Sequence, residues 1–315
     1  MSSRLHSISV VIPTYNRADL VREAIDSLLT QTRPAQQIIV IDDGSSDETP
    51  QILKNYGEKI CIIQQANAGL AKARNAGLRS VTGDFIAFLD SDDWLPPTSL
   101  ERRAAVLDAQ PEIAAAYCNV QVTNWEGVPL RLYTEVRPGP RRSGMIFAEL
   151  ARYNLMPPIA YMVRKTHLDS VGGFFAEDVP GVEDYDLWLR LAARYPFAYI
   201  DEPLAFYRVH SNMMNIAQNA TMHKSDHEVH RRIFAMPAFH HLDPAEKAAI
   251  YAVHGTRYAM QGDLAAARHW YLKAIRQRPF SPQPYLLMGL TLFGSQRFAA
   301  IAEQRRRRRK ETFKT

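Results

Sequence analysis

Acidic side chains recur where apolar runs stop. Ile38 to Ile41 runs into Asp42 and Asp43, and Phe85 to Leu89 runs into Asp90, Ser91, Asp92 and Asp93. Carboxylates this crowded repel one another unless a positive charge sits among them. Hard divalent ions take oxygen ligands from one or two carboxylates together with substrate phosphates. The second turn therefore predicts a metal clamp on a diphosphate; a solvated turn before the helix near Pro97 is the alternative. The first turn predicts, at Asp43, a carboxylate that accepts a hydrogen bond from a ligand amide such as a pyrimidine base. Ser46 and Asp47 there suit a helix cap. Arg74 offers a planar donor fork for phosphate oxygens. A third acidic group opens at Glu183. Asp184, Leu187, Trp188 and Leu191 fall at i, i+3, i+4 and i+7, so Asp184 points inward at a helix N-terminus, which favours the ionised state a general base needs. Capping is the alternative for Asp184, and Glu183 and Asp186 project elsewhere as cap or surface charges.

Positioning these groups falls to alternating elements. The runs Ile8 to Ile12, Ile38 to Ile41, Ile60 to Ile63 and Phe85 to Leu89 are separated by amphipathic segments such as Asp19 to Thr30. That alternation predicts an α/β fold with a mostly parallel sheet, whose functional crevice lies outside the carboxyl ends of the strands. From about Ala104 the pattern loosens, and Met, His and Asn accumulate near Asn212 to His241. The predicted division is a catalytic domain over residues 1–215, a helical region over 216–302 and a basic tail over 303–315. In the helical region Tyr251, Gly255, Tyr258, Ala267, Tyr271, Ala274 and Pro279 match one tetratricopeptide unit, and Tyr285 and Gly289 begin a second. An ordinary helical hairpin is the alternative.

Charge and cysteine content narrow the classes. The formal net charge is +5, and Arg305 to Lys310 contribute six positive charges, so the body is near neutral. This argues against a nucleic-acid groove spread over the main domain. Cys61 and Cys118 sit in apolar runs and are expected as reduced core residues of a cytoplasmic protein. The start of the chain lacks the long apolar region of a signal peptide, and the apolar stretch from Tyr285 to Phe293 is short of the ~20 residues a membrane-spanning helix needs. The basic tail is either solvated or attracted to anionic lipid headgroups, which would place the protein peripherally on the inner face of the cell membrane.

The ordered series VIPTYNR, DDGSSDET, NAGLAKARNAG and FLDSDD, followed by VGGF at Val171 to Phe174 and EDYDLWLR at Glu183 to Arg190, resembles family 2 of the inverting glycosyltransferases over roughly residues 7–212. The resemblance implies a GT-A fold, a nucleotide-binding sandwich, and a nucleotide diphosphate sugar donor, taken to be a UDP-sugar. It implies Asp184 as catalytic base. It places Pro13, Thr14, Tyr15, Arg17, Asp43, Asn67, Arg74, Asp90 and Ser91 at the donor, and Asp92 and His210 at a Mn2+ or Mg2+ ion. Gly172, Gly173, Glu183 and Trp188 fall on the acceptor side. The acceptor is a glycan or lipid-linked hydroxyl, as in polysaccharide, glycolipid or glycoprotein glycan assembly, and no specific nucleic acid is expected. Two other functions are consistent with parts of the sequence: a sugar-phosphate nucleotidyltransferase, and a noncatalytic adaptor built on the helical repeats.

Overall fold

A computed structural model describes residues 5–136, 141–209 and 219–301. His210 and the run Arg305 to Lys310 lie outside these residues. The chain forms two compact units, residues 1–146 with 155–229 and residues 147–154 with 230–315.

In the first unit the apolar runs become β1 (Ile8–Thr14), β2 (Gln37–Asp42), β3 (Cys61–Gln64) and β4 (Phe85–Phe88), paired in parallel in the order β3-β2-β1-β4. Between them run α1 (Val21–Leu29), α2 (Thr49–Lys54) and α3 (Leu70–Arg79). β1 is buried at every position, which is why it reads as a continuous apolar run instead of an alternating one. Thr14 and Asp42 sit side by side in register, so the turns after β1 and β2 leave the sheet together. The N–H of Asp43 bonds the carbonyl of Thr14 at 2.9 Å.

The sheet continues past β4 through antiparallel pairs. β7 (Tyr161–Arg164) lies beside β4, β5 (Ala115–Thr123) beside β7, and β6 (Pro129–Leu132) at the far edge, while β8 (Phe197–Arg208) pairs in parallel with β5. The eight-stranded sheet is thus parallel at its first four strands and mixed beyond them. α4 (Ser99–Ala109), α5 (Tyr133–Val136), α7 (Lys165–Ser170) and α8 (Glu183–Ala192) complete this unit. Cys118 is buried as expected, but Cys61 is exposed, because β3 is the edge strand and its outer residues face solvent.

The second unit takes α6 (Phe147–Leu150), the end of α9 (Asn219–Ala235), α10 (Pro237–His241), α11 (Pro244–Met260), α12 (Leu264–Gln277) and α13 (Pro282–Leu290), so a helical C-terminal region is present. Asp243 and Glu246 form a reciprocal capping box that starts α11, with Pro244 in the first turn. The seam between α11 and α12 is small and aromatic. A Cβ at Gly255 would lie 2.8 Å from Tyr271 Cε1 and 3.0 Å from the carbonyl of Ala267, so glycine lets the helices approach closely there. Among the described residues no helix is long and apolar enough to cross a membrane.

Candidate active site

The rim at the carboxyl ends of β1, β2 and β4 is built from turns that hold one another. Asn16, whose φ is 51°, receives the N–H of Ser46 on its side-chain oxygen at 2.8 Å and donates its own N–H to Ser45 Oγ at 2.9 Å. Asn is one of the few residues that tolerate this left-handed conformation. Asp47 accepts from the N–H groups of Thr49 and Ala18 at 2.9 and 3.1 Å. Burial acts to raise its carboxyl, but these hydrogen bonds prevail and hold it below its ordinary value. Ser46 does not cap α2. Its N–H is engaged by Asn16 and the N-cap residue Glu48 makes no side-chain bond, whereas Asp47 does cap the first N–H of α2, that of Thr49.

Asp43 is buried, and its carboxylate organises the loop before α3. Oδ1 accepts from Gln65 Nε2 at 2.7 Å and the N–H of Ala68 at 2.9 Å, and Oδ2 accepts from the N–H of Gly69 at 2.9 Å. The neighbouring Gly44, with φ +81°, brings this turn against the same loop; a Cβ there would meet the N of Asn67 at 2.7 Å. Pro13 and Thr14 are buried at the end of β1, Tyr15 is 46 % exposed, and Asn67 is exposed on the loop. The Thr14 hydroxyl is buried with no hydrogen-bond partner among the described residues.

Arg74 joins the turn after β4 to the start of α8. Its guanidinium is buried, donating through Nη2 to Asp90 Oδ1 at 2.7 Å and through Nη1 to Glu183 Oε1 at 2.9 Å, and it lies over the Phe175 ring. Burial opposes its charge, but Asp90, Glu183 and the nearby Asp184 outweigh that and raise its pKa further. Glu183 also accepts the N–H of Gly181 at 2.7 Å. The expectation that Glu183 and Asp186 face outward is therefore corrected. The first turn of α8 is buried on all sides, so Glu183, Asp184 and Asp186 are all inside and two of them hold arginines.

The acids after β4 differ in exposure. Ser91 and Asp93 are buried, while Asp92 keeps 22 % of its side chain exposed and lies 3.6 Å from Arg17 Nε. Asp93 accepts the N–H of Arg208 on Oδ1, and its Oδ2 is buried with no hydrogen-bond partner among the described residues. Burial, then Asp92 and Asp90, push its carboxyl well above the ordinary value. Arg208 in turn covers the Trp94 ring and donates to Glu23 at 2.6 Å. The segment around Tyr207 thus fastens the end of β8 to this turn through Arg208 and Asp93, two residues to which the motifs assign no site role of their own. Among the described residues no three His, Cys, Asp or Glu side chains converge as a metal cage. Asp90 and Asp92 instead suit an ion shared with a diphosphate, which needs one or two carboxylates from the protein.

The glycines expected on the acceptor side have a folding role. Gly172 and Gly173, with φ +95° and +68°, end α7, Gly173 N–H bonding back to the carbonyl of Leu168. Arg190, held by Asp186 at 2.8 Å, donates to the carbonyls of Val171 and Phe174, and Asn75 bonds both the N–H and the carbonyl of Phe175. The VGGF, EDYDLWLR and NAG motifs therefore form one clasp. Trp188 does not face an acceptor: it is wholly buried, stacked on Tyr161 at 4.3 Å and edge-on to Phe88 and Phe175. Its position four residues after Asp184 places it on the core stripe. Tyr161, whose hydroxyl has no hydrogen-bond partner among the described residues, is pushed well above the ordinary phenol value by burial, then by Tyr117 and Asp184.

Comparison with known proteins follows the same geography. The Glycosyl transferase family 2 profile matches residues 9–168, which span the turns after β1, β2 and β4 and Arg74. An uncharacterized glycosyltransferase of Rickettsia prowazekii (strain Madrid E) is 31 % identical over 211 residues, covering 65 % of this chain and 64 % of the relative, so the aligned part spans less than two thirds of that protein. S. aureus TarS 1-349 in complex with UDP-GlcNAc superposes with a TM-score of 0.69 at 17 % identity, over 96 % of this chain and 92 % of that one. Mannosyltransferase PcManGT from Pyrobaculum calidifontis, in complex with GDP-Man and Mn2+, gives 0.59 at 18 % identity over 90 % and 79 %. The GT-A fold that the motifs imply is the fold shared with these structures. With half its length inside the profile and the strand-end turns inside that half, this chain belongs to glycosyl transferase family 2.

Proposed function

We propose that the protein transfers a sugar from a UDP-sugar to an acceptor hydroxyl with inversion at the anomeric carbon. The observation that carries this reading is Arg74, one buried cation that grips Asp90 on the donor turn and Glu183 beside Asp184, so the two halves of a transfer reaction share one rigid link. In the second shared-fold structure GDP-Man and Mn2+ are bound, and in the first UDP-GlcNAc, which supports a nucleotide-sugar donor for the same rim.

The base cradle is formed by Pro13, Thr14, Tyr15 and the loop carrying Asn67, with Asp43 fixing that loop and retaining acceptor capacity at Oδ2 for one base N–H. Arg17, Asp90 and Ser91 line the ribose and diphosphate side. Asp92, with Asp90 beside it and His210 as a further candidate ligand, would hold Mn2+ or Mg2+, which when bound neutralises charge on the diphosphate. Asp184 takes the proton of the acceptor hydroxyl as that oxygen attacks the anomeric carbon opposite the leaving diphosphate. Glu183 and Asp186, on the same buried first turn, are held by Arg74 and Arg190. The reactive centre has oxocarbenium character, as in glycoside hydrolysis, and charge grows on the leaving group toward the Arg74 side. Gly172 and Gly173 would support the acceptor side through the loop they shape. The acceptor is a glycan or lipid-linked hydroxyl, and the division into residues 1–215, 216–302 and 303–315 is part of this reading. So is attachment of the 303–315 tail to anionic lipid, which fails if deleting that tail leaves vesicle co-sedimentation at low salt unchanged.

A panel of UDP-sugars incubated with Mn2+ and candidate acceptors, followed by UDP release and product mass, tests the proposal. One UDP-sugar is expected to release UDP in an Asp184-dependent manner. Pyrophosphate formed from a nucleoside triphosphate and a sugar phosphate would instead make the protein a nucleotidyltransferase, and no nucleotide binding at all would favour the adaptor.

A further inference from the structure

The helical unit holds a cavity of about 250 Å3 that none of the motifs above uses. Its walls are aromatic: Phe234, Phe239, Tyr251 and Trp270 line it. Phe234 stacks on Trp270 with centroids 4.8 Å apart, and Tyr251 packs against the same indole at 5.7 Å. Phe234, Tyr251 and Trp270 are each half-buried, so ring surface is presented to the cavity and to solvent. Lys247 and Lys273, with His240 and Gln277, complete the lining. Lys273 Nζ sits 4.1 Å from the centroid of Trp270, and Lys247 Nζ donates to the carbonyl of His240 at 2.8 Å. Neither contact supplies a negative charge. Among the described residues no acid lines the cavity, and the acids nearest in sequence, Asp243 and Glu246, are engaged with each other in the capping box of α11.

We propose that this cavity binds a single anionic sugar residue, a second saccharide site separate from the donor rim. The C–H-rich faces of a pyranose pack on the electron-rich faces of aromatic rings. A carboxylate or phosphate on the sugar would meet two ammonium groups in a partly desolvated recess, where like-signed charge with low-dielectric walls concentrates the field. The volume lies just below the roughly 300–1,000 Å3 of pockets that take drug-sized ligands, which limits the occupant to about one ring. A peptide side chain bearing a carboxylate would satisfy the lysines but leave most of the aromatic wall unused, so the observations favour the sugar. The choice of a saccharide rests on glycosyl transfer as the chain's activity. The cavity would then grip an acidic unit of the glycan being extended.

Binding of trigalacturonic acid, glucose 6-phosphate, maltotriose and pentaglutamate to the full chain by titration calorimetry, with no nucleotide present, tests this. One of the two charged sugars is expected to bind at least tenfold more tightly than maltotriose, and which one does so separates a carboxylate from a phosphate. Lys273→Gln and Lys247→Gln are each expected to reduce that affinity about tenfold while leaving UDP affinity unchanged, and Trp270→Ala to abolish it. The two lysine variants keep the test decisive if loss of the indole unfolds the unit. The proposal is overturned if no charged sugar binds up to about 10 mM, if maltotriose binds equally well, if pentaglutamate binds more tightly, or if both lysine variants bind as the parent does. Unchanged UDP affinity alongside lost sugar binding locates the failure in this cavity and not in the donor site.

Discussion

After β2, Asp43 is enclosed by three donors, two of them backbone N–H groups of the loop that precedes α3. After β4, three carboxylates occupy four positions. Asp90 is gripped by Arg74, Asp93 is buried and driven toward its protonated form, and Asp92 stays part-exposed at the rim. Both turns are acidic and both follow a buried parallel strand, yet the first uses its charge to fix backbone and the second concentrates charge where a ligand can reach it. An aspartate that gives most of its acceptor capacity to protein N–H groups is chiefly a folding device with one site left at Oδ2, whereas crowded carboxylates in partial contact with water suit a partner that arrives from outside.

The comparison extends to α8, and the largest expected effect lies there. Asp184→Asn is expected to slow transfer by about 10^2 to 10^4-fold, the usual contribution of a positioned general base, with UDP-sugar affinity and melting temperature little changed. Steady-state kinetics beside calorimetry checks this, and a turnover near that of the parent would remove Asp184 from the mechanism. Arg74→Met is expected to destabilise by about 3–5 kcal/mol, because Glu183 is left buried without its cation; urea unfolding reads this directly. Asp43→Asn should lose about 1–3 kcal/mol, since one amide oxygen cannot replace two carboxylate oxygens toward three donors. The smallest effect is electrostatic. The Asp47 carboxyl is held below its ordinary value of 3.8, so the stability it confers is present above that pH and is lost as pH falls through the lowered folded-state value. Asp47→Asn should therefore melt about 1–3 °C below the parent near neutral pH, and the two should converge in acid.

Much of the fold was legible because the first four strands are buried runs separated by helices, the pattern a parallel sheet imposes on sequence. β5, from Ala115 to Thr123, was not legible as a strand, since its Ala, Tyr, Cys and Asn content carries no alternation and its pairing with β7 and β8 is long-range. The inward direction of Asp184 followed from helical spacing. The burial of Glu183 and Asp186 did not, because spacing alone cannot show that α8 is covered on several sides or that Arg74, more than a hundred residues earlier, reaches it. Likewise Trp188 has the right position for a site residue and the wrong surroundings. Arg208 lies two residues before His210, and its bond to Asp93 depends on β8 returning to the β4 end of the sheet.

Titrating UDP into the parent protein and into Asp92→Asn, with and without Mn2+, tests the proposal that the turn after β4 would hold a divalent ion shared with the donor diphosphate. Mn2+ is expected to strengthen UDP binding at least tenfold in the parent and to have little effect in Asp92→Asn, whose unliganded stability should stay within about 0.5 kcal/mol of the parent. Equal enhancement by Mn2+ in both proteins, or UDP binding to the parent that ignores Mn2+, would contradict it.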